Sequence, residues 1–287
     1  MRETTGGAYM QQREQRYRDN NSQTIKNRNR KRSHRRKKRK RLQRTGWILC
    51  IVMIGLIING FGGPAELIEN AFQKYSMEEL TEKGYPKSLA QLYMRNSEAK
   101  EFVLGYKKYD GNAEDIDISG EIHKGKIPVF LQWDSRWGYE TYGDDFMALT
   151  GCGPTSLSMV YSGLTGDASL HPLKMARLAE EKGYYVNGSG SSWNMMTGLA
   201  EVIGLTVWKP SFTEEAIKAE LEEGHPIICI MGPGDFTTTG HFIVLAGVME
   251  DKIIVNDPNS PKNSEKLWDI EKIMKQTRDL WAYDCRN

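Results

Sequence analysis

The sequence Thr150-Gly151-Cys152-Gly153-Pro154-Thr155-Ser156 places a cysteine between two glycines, directly before an amphipathic pattern. Pro154 suits the first turn of a helix, and the apolar spacing predicts that helix over residues 154–164. Unpaired N–H groups and the helix dipole at this end favour an anion, so we expect the pKa of Cys152 to fall from about 8.5 to between about 3.5 and 7.5. The pattern predicts a nucleophile; the alternative is a small buried cysteine in a tight turn.

A thiolate nucleophile needs an imidazole partner and a group that orients it. Among the five histidines, His241 follows Gly240 and begins an apolar run, 241–245, that predicts a buried strand. A polar ring on a buried strand must be paired, so His241 is either part of a site or a satisfied core histidine. The others are assigned to the N-terminal arm (His34), a linker (His123), a helix cap (His171) and the start of a strand (His225).

Asp257 follows the next predicted strand, 252–256, which comes after a hairpin turn at Glu250-Asp251. Antiparallel strands bring the end of one beside the start of the other. We therefore predict that Asp257 and His241 face each other across the ladder. The alternative is that Asp257 only begins an Asx turn before Pro258.

Acyl transfer also needs a hydrogen-bond donor for the oxyanion. Gln132, in Phe130-Leu131-Gln132-Trp133-Asp134, has a side-chain amide that can act beside the backbone N–H of Cys152. From the residues alone, however, Gln132 is only a surface polar residue.

The chain resembles the papain-like cysteine peptidases of family thirty-nine, relatives of the double-glycine leader peptidases that mature bacteriocins. The resemblance extends over roughly 127–283 and rests on Gln132-Trp133-Asp134, residues 151–156, Gly240-His241-Phe242 and Asn256-Asp257-Pro258. It implies a papain-like fold, with the cysteine helix packed on an antiparallel sheet. It also implies a nucleophile (Cys152), a general base and acid (His241), an orienting carboxylate (Asp257) and an oxyanion donor (Gln132).

Members of this family that process exported peptides are commonly fused to an ABC transporter. Nothing in this sequence resembles a nucleotide-binding domain, so we expect a stand-alone member. The resemblance therefore indicates that a peptide bond is cleaved, and it does not identify the substrate.

Helical patterns precede strand patterns in the second half of the chain, which predicts an α+β domain rather than a doubly wound sheet. A capping box of Ser211 and Glu214 is expected to begin one helix. The predicted helices cover 154–164, 172–182, 193–203 and 214–223, and the predicted strands cover 227–231, 241–248 and 252–256. Upstream, a short amphipathic pattern that starts at Pro86 and another around Phe102 need a partner surface, for which we expect the domain that follows.

The net charge of +2 averages two unlike parts of the chain. Residues 1–46 hold 17 Lys and Arg against three acids, whereas residues 47–287 hold 22 against 34. The first part has almost no apolar side chains and is predicted to be disordered. Residues 47–65 contain one strongly polar side chain, Asn59, and would span about 28 Å as a helix, close to the thickness of a bilayer core.

By the positive-inside rule, the basic flank lies in the cytoplasm and the chain after residue 65 lies outside, as in a type II signal anchor. A cleaved signal peptide and a buried core helix are the alternatives. The predicted organisation is a basic cytoplasmic arm (1–46), a transmembrane anchor (47–65), a helical linker region (66–126) and a papain-like peptidase domain (127–287).

These predictions combine into a membrane-anchored extracytoplasmic cysteine peptidase that acts on a peptide or protein. The alternatives are an acyltransferase or cross-linking enzyme with the same residues, and a non-catalytic tethered peptide-binding module. The basic arm is expected to contact anionic lipid at about 1 kcal/mol per contacting Lys or Arg, and nucleic acid is the less favoured partner. No metal-ligand spacing or phosphate loop is present in the sequence, so no metal or cofactor is expected.

Overall fold

The computed structural model describes residues 75–111, 113 and 115–285. The predicted basic arm (1–46), the predicted anchor (47–65) and the first residues of the predicted linker region lie outside the described residues. None of the helices in the described part of the chain is long and apolar enough to cross a membrane.

The described helices include all four that the sequence predicts for the second half of the chain. One detail of that prediction is wrong: the N-cap of α8 is Thr213, whose hydroxyl accepts a hydrogen bond from the N–H of Ala216 over 3.2 Å, because Ser211 lies too far before the first turn. In chain order the α-helices are α1 (Met77–Glu82), α2 (Lys87–Arg95), α3 (Lys100–Gly105), α4 (Met147–Thr150), α5 (Cys152–Thr165), α6 (Pro172–Glu181), α7 (Met195–Val202), α8 (Glu214–Glu222), α9 (Pro261–Ser264) and α10 (Ile270–Met274).

The main sheet has six strands, and all neighbours in it are antiparallel. The fold is therefore α+β, as predicted. Across the sheet lie β5 (Leu205–Trp208), β10 (Thr277–Cys285), β6 (Ile227–Met231), β7 (His241–Met249), β8 (Lys252–Asn256) and β9 (Leu267–Trp268). Two-stranded sheets are formed by β1 (Thr141–Tyr142) with β2 (Asp145–Phe146), and by β3 (Tyr185–Val186) with β4 (Gly190–Ser191).

Both faces of this sheet are covered, which explains the continuous apolar runs of its inner strands. Alternate residues of β6 belong to different core clusters: Ile228 packs with side chains of α5 and α7, and Cys229 packs with side chains of α8 and α10. On the first face, Leu157 of α5 lies in the same cluster as Phe242 of β7. This packing places the start of α5 beside the start of β7.

The hairpin of β7 and β8 has the predicted turn, since Glu250 and Asp251 both adopt positive φ angles. The predicted register is wrong, however. His241 lies nine residues before the turn and Asp257 only six after it, and the last pair of the ladder is Val244 with Asn256. A bulge between the pairs Leu245–Val255 and Gly247–Ile254 reduces this offset by one residue. His241 pairs instead with Met231 on β6, so Asp257 reaches it diagonally from beyond the end of β8.

The helices α2 and α3 pack against the domain that follows them, as expected from their amphipathic patterns. The ring of Phe102 stacks on that of Tyr139 with centroids 4.2 Å apart, and both belong to a third core cluster that also contains Ala148 of α4. Asn96, at the end of α2, donates two hydrogen bonds to Asn259, over 3.0 Å to its carbonyl oxygen and 3.1 Å to its Oδ1. The segment is thus joined to the turn that follows Asp257.

Candidate active site

Cys152 is the first residue of α5, and a close contact explains why a glycine follows it. The helix begins with a hydrogen bond from the N–H of Thr155 to the carbonyl of Gly151 over 3.0 Å. A Cβ on Gly153 would lie 2.5 Å from Oγ of Ser191, so β4 can approach the helix only at a glycine. Cys152 itself is half-buried, which leaves its sulfur in contact with the open cleft.

His241 and Asp257 form a buried pair next to Cys152. Nε2 of His241 lies 2.7 Å from Oδ1 of Asp257, which leaves the other ring nitrogen, Nδ1, for the thiol. Burial lowers the pKa of His241, but the Asp257 carboxylate and the Cys152 sulfur outweigh this and raise that pKa to about 10. The ring is therefore held as an imidazolium at neutral pH.

The pKa of Cys152 moves in the opposite direction. Burial raises it, but the hydrogen bond and charge of His241 together with the backbone N–H groups of Phe242 and Gly153 hold it below its ordinary value. Opposite shifts of this kind favour a thiolate beside an imidazolium, which is the ionised form that a nucleophilic cysteine needs.

Asp257 is fixed by groups that the sequence reasoning missed. Its Oδ1 accepts a hydrogen bond from the N–H of Asn259 and its Oδ2 accepts one from Nδ2 of Asn263, both over 2.8 Å. The first bond forms the Asx turn that is the alternative prediction for Asp257. The structure has this turn together with the close contact between Asp257 and His241. Asn263 is six residues away from Asp257 on α9, and no periodicity in the sequence points to it.

Gln132 is buried, so its description as a surface polar residue is wrong. Its backbone N–H donates to the carbonyl of Pro258 over 2.8 Å, and its Nε2 donates to the carbonyl of Ala148 over 2.7 Å. An amide nitrogen has two hydrogens, so one donor remains. Oε1 of Gln132 is buried without a hydrogen-bond partner in the described chain.

Two grooves meet at Cys152 and His241, which line both. The first groove, of about 680 Å³, is also lined by Asp145, Trp193 and Arg278, and by residues 188–191 of the β3–β4 hairpin. The second groove, of about 500 Å³, is lined by Gln132, Asn259 and Thr237, among others. Together they form an open cleft with the thiol at its middle.

The model of the Peptidase C39 like family matches residues 124–285. That match covers more than half of the chain. The chain belongs to this family. It is therefore a cysteine peptidase, a hydrolase, as the sequence resemblance implied.

Comparison of this C39-like peptidase with solved structures gives neighbours of low sequence identity. The peptidase domain of Streptococcus ComA, a bi-functional ABC transporter in a quorum-sensing pathway, is 20% identical, with a TM-score of 0.36 and coverage of 48% of this chain and 93% of that one. A protein from Bacillus anthracis described as a C39-like peptidase is 17% identical (TM-score 0.37; coverage 58% and 98%).

A double-glycine-motif protease from an AMS/PCAT transporter, solved in complex with the leader peptide, is 19% identical (TM-score 0.37; coverage 57% and 94%). A search of curated proteins finds no significant match to this C39-like peptidase.

His171 and Cys229 of the C39-like peptidase have structural surroundings. His171 caps α6 as predicted, with its Nδ1 3.4 Å from the N–H of Lys174, and burial first, then the charges of Lys174 and Arg136, lower its pKa to about 4. Cys229 is buried in β6, where burial raises its pKa to about 12. Neither group is placed or ionised for chemistry in the cleft.

One cluster outside the cleft has ligand types that could hold a metal. Side-chain ligand atoms of Glu220, Glu223 and His225 lie within 4.8 Å of one another. Both oxygens of Glu220 already have protein partners, since one accepts from Nε1 of Trp208 over 2.9 Å and the other lies 2.8 Å from Nδ1 of His225. These hydrogen bonds account for the close approach of the side chains, so we assign no metal site to them.

Proposed function

We propose that this cysteine peptidase cleaves peptide bonds with Cys152 as nucleophile, His241 as general base and acid, and Asp257 as the carboxylate that orients His241. The observation that carries the proposal is the buried 2.7 Å pair of His241 and Asp257 beside a half-buried thiol at the junction of two grooves. Among the described residues, this cleft combines a thiol of lowered pKa with an imidazole of raised pKa.

The reaction begins with the thiolate of Cys152, since its proton already resides on His241. The sulfur attacks the carbonyl carbon of the substrate, and a tetrahedral intermediate with a negative oxygen forms. The imidazolium of His241 gives its proton to the leaving amine, the C–N bond breaks, and an acyl-enzyme thioester remains. Neutral His241 then takes a proton from water, and the hydroxide releases the acid and restores the thiolate.

The oxyanion has two donors in this proposal. One is the backbone N–H of Cys152 at the start of α5, where the helix leaves N–H groups unpaired. The other is the second amide hydrogen of Gln132, whose first hydrogen is bound to Ala148. The bonds of Gln132 to Ala148 and Pro258 fix this amide before substrate arrives, so that little reorganisation is needed in the transition state.

We also propose the cellular location that the sequence predicts: residues 47–65 cross the cell membrane, the basic arm of residues 1–46 is cytoplasmic at anionic lipid, and the peptidase domain lies outside. The support is the charge difference between the two parts of the chain and the positive-inside rule. An active-site probe applied to intact and to permeabilised cells tests this. Labelling of intact cells supports the outer location, and labelling only after permeabilisation contradicts it.

The catalytic proposal is tested with a mixed peptide library and mass spectrometry of the products. We expect the wild-type chain to produce new termini, Cys152→Ala to produce none, and Cys229→Ala to behave as wild type because its thiol is buried and not ionised. Circular dichroism checks that both variants are folded. Cleavage by folded Cys152→Ala would contradict the proposal.

A further inference from the structure

Arg95 is the last residue of α2, outside the segment 124–285 that the family model matches, yet it lines both grooves of the cleft. Its side chain is exposed and has no ion pair or hydrogen bond with the described part of the chain. A cation in this position, between the two grooves that meet at the thiol, is available to a bound substrate.

The position of Arg95 is fixed by its neighbours. The next residue, Asn96, is hydrogen-bonded twice to Asn259, two residues after Asp257. Glu98 accepts a hydrogen bond from Oγ of Ser260 over 2.6 Å and another from the N–H of Lys262 over 2.9 Å. The end of α2 is therefore held against the turn that carries Asp257, and Arg95 is presented at the cleft by a docked element.

The charges of the second groove leave Arg95 uncompensated. The acid that lines this groove is Asp235, and its oxygens already bind Nζ of Lys272 and Nε2 of Gln276, each over 2.7 Å. In the first groove, by contrast, Arg95 and Arg278 are matched by Asp144 and Asp145. A negative group on the substrate is thus favoured in the second groove, where the charge of Arg95 also offsets the repulsion of that group by the thiolate.

We propose that Arg95 is a specificity-determining residue of the peptidase: it binds a carboxylate of the peptide substrate close to the scissile bond, in the second groove. This inference rests on the proposed function of the cleft. The carboxylate is that of an Asp or Glu side chain or of a free C-terminus. A guanidinium presents paired N–H donors that match either carboxylate.

The test uses the full chain and a mixed peptide library in two forms, with free or amidated C-termini. We expect Asp or Glu to be enriched at one position near the cleavage site for wild type. On a peptide pair that differs only by Glu or Gln at that position, we expect Arg95→Ala to lower the Glu/Gln ratio of kcat/KM by about fivefold, and Arg95→Glu to favour a Lys peptide. If the C-terminus is the source, the preference is lost with amidated peptides instead.

The matched control is Lys87→Ala, which removes an exposed cation from the same helix but lines neither groove. It should retain the wild-type Glu/Gln ratio. An equal change in both variants would indicate a general charge effect and overturn the inference, as would an unchanged ratio in Arg95→Ala. Both outcomes are distinct from failure of the proposed function, in which wild type and Cys152→Ala cleave the library alike.

Discussion

The backbone N–H of Gln132 donates to the carbonyl of Pro258 over 2.8 Å, which joins the segment of the oxyanion amide to the turn of Asp257. Nε1 of Trp133 adds a second link to that turn, to the carbonyl of Asn259 over 3.2 Å. Two of the proposed catalytic groups, far apart in the sequence, are therefore held by one backbone contact.

Replacing Gln132 by Glu keeps the size of the side chain but removes both amide hydrogens. We expect kcat to fall by about 100- to 1,000-fold with a smaller change in KM, because the lost donor acts on charge that develops in the transition state. Steady-state kinetics on one cleaved peptide measure both constants. Trp133→Phe, which removes the bond to Asn259 and keeps an aromatic ring, is the control for loss of the local contacts. Equal effects of the two variants would contradict a role in oxyanion binding.

Asp257→Asn should change the pH dependence of kcat/KM. In the wild type the alkaline limb falls as His241 loses its proton, near the pKa of about 10, and the acidic limb rises with ionisation of Cys152, whose pKa lies below its ordinary value. Without the carboxylate, burial lowers the pKa of His241 unopposed by that charge, so the alkaline limb should move down by about 1 to 3 pH units. An unmoved limb would show that Asp257 does not set the ionisation of the ring.

The same pair should stabilise the fold in a defined pH range. The folded pKa of His241 lies above its unfolded value of about 6.5. Its contribution to the free energy of unfolding is therefore complete below about 6.5 and is lost as the pH rises through about 10. Urea unfolding of wild type and Asp257→Asn at a series of pH values measures this. The difference between them should shrink as the pH approaches 10; a difference that grows would contradict the sign.

The residue types of the proposed catalytic site could be predicted from the sequence because each lies at a local signal: a cysteine between glycines, a histidine at the start of an apolar strand, an aspartate before proline. The contacts among these three residues could not be predicted from the sequence. His241 lies nine residues before the turn at Glu250-Asp251 and Asp257 only six after it, so the two residues are not opposite each other in the ladder. The outcome is the same close pair only because the turn after β8 brings the carboxylate back to the ring.

Strands β5, β9 and β10 were not predicted, although they form three of the six strands of the sheet. Residues 277–285 mix charged, aromatic and aliphatic side chains without a regular alternation. Their strand character depends on pairing with β6 and β5 on either side. Such pairing is decided by the tertiary structure and not by local propensity. The docking of Arg95 at the cleft has the same origin, since it depends on contacts with residues more than 150 positions away.

Gly153→Ala should destabilise the fold by about 1–3 kcal/mol, since the new Cβ would lie 2.5 Å from Oγ and 2.8 Å from Cβ of Ser191. Urea unfolding gives the free energy directly. Gly120→Ala is the control, because nothing lies within 4 Å of a Cβ at that position. A loss of stability no larger than that of the control would mean that β4 can move away from α5.

Glu98→Ala should lower both stability and activity. The two hydrogen bonds from Ser260 and Lys262 to this carboxylate hold the turn after Asp257, and their loss is expected to cost about 1–3 kcal/mol. Thermal unfolding and kcat/KM measure the two effects. Glu101→Ala, which removes an exposed carboxylate from α3, should be close to wild type in both. If the stability and activity of Glu98→Ala equal those of Glu101→Ala, the helices before the family domain do not support the site.

The rate of alkylation of Cys152 by iodoacetamide as a function of pH, followed by mass spectrometry of the 152-containing peptide, tests the thiolate–imidazolium pair without any knowledge of the substrate. We predict a rate that remains high well below pH 8.5 in the wild type and falls with an ordinary thiol profile in His241→Ala, with Cys229 unmodified in both. A wild-type profile centred near 8.5, unchanged in His241→Ala, would contradict the account.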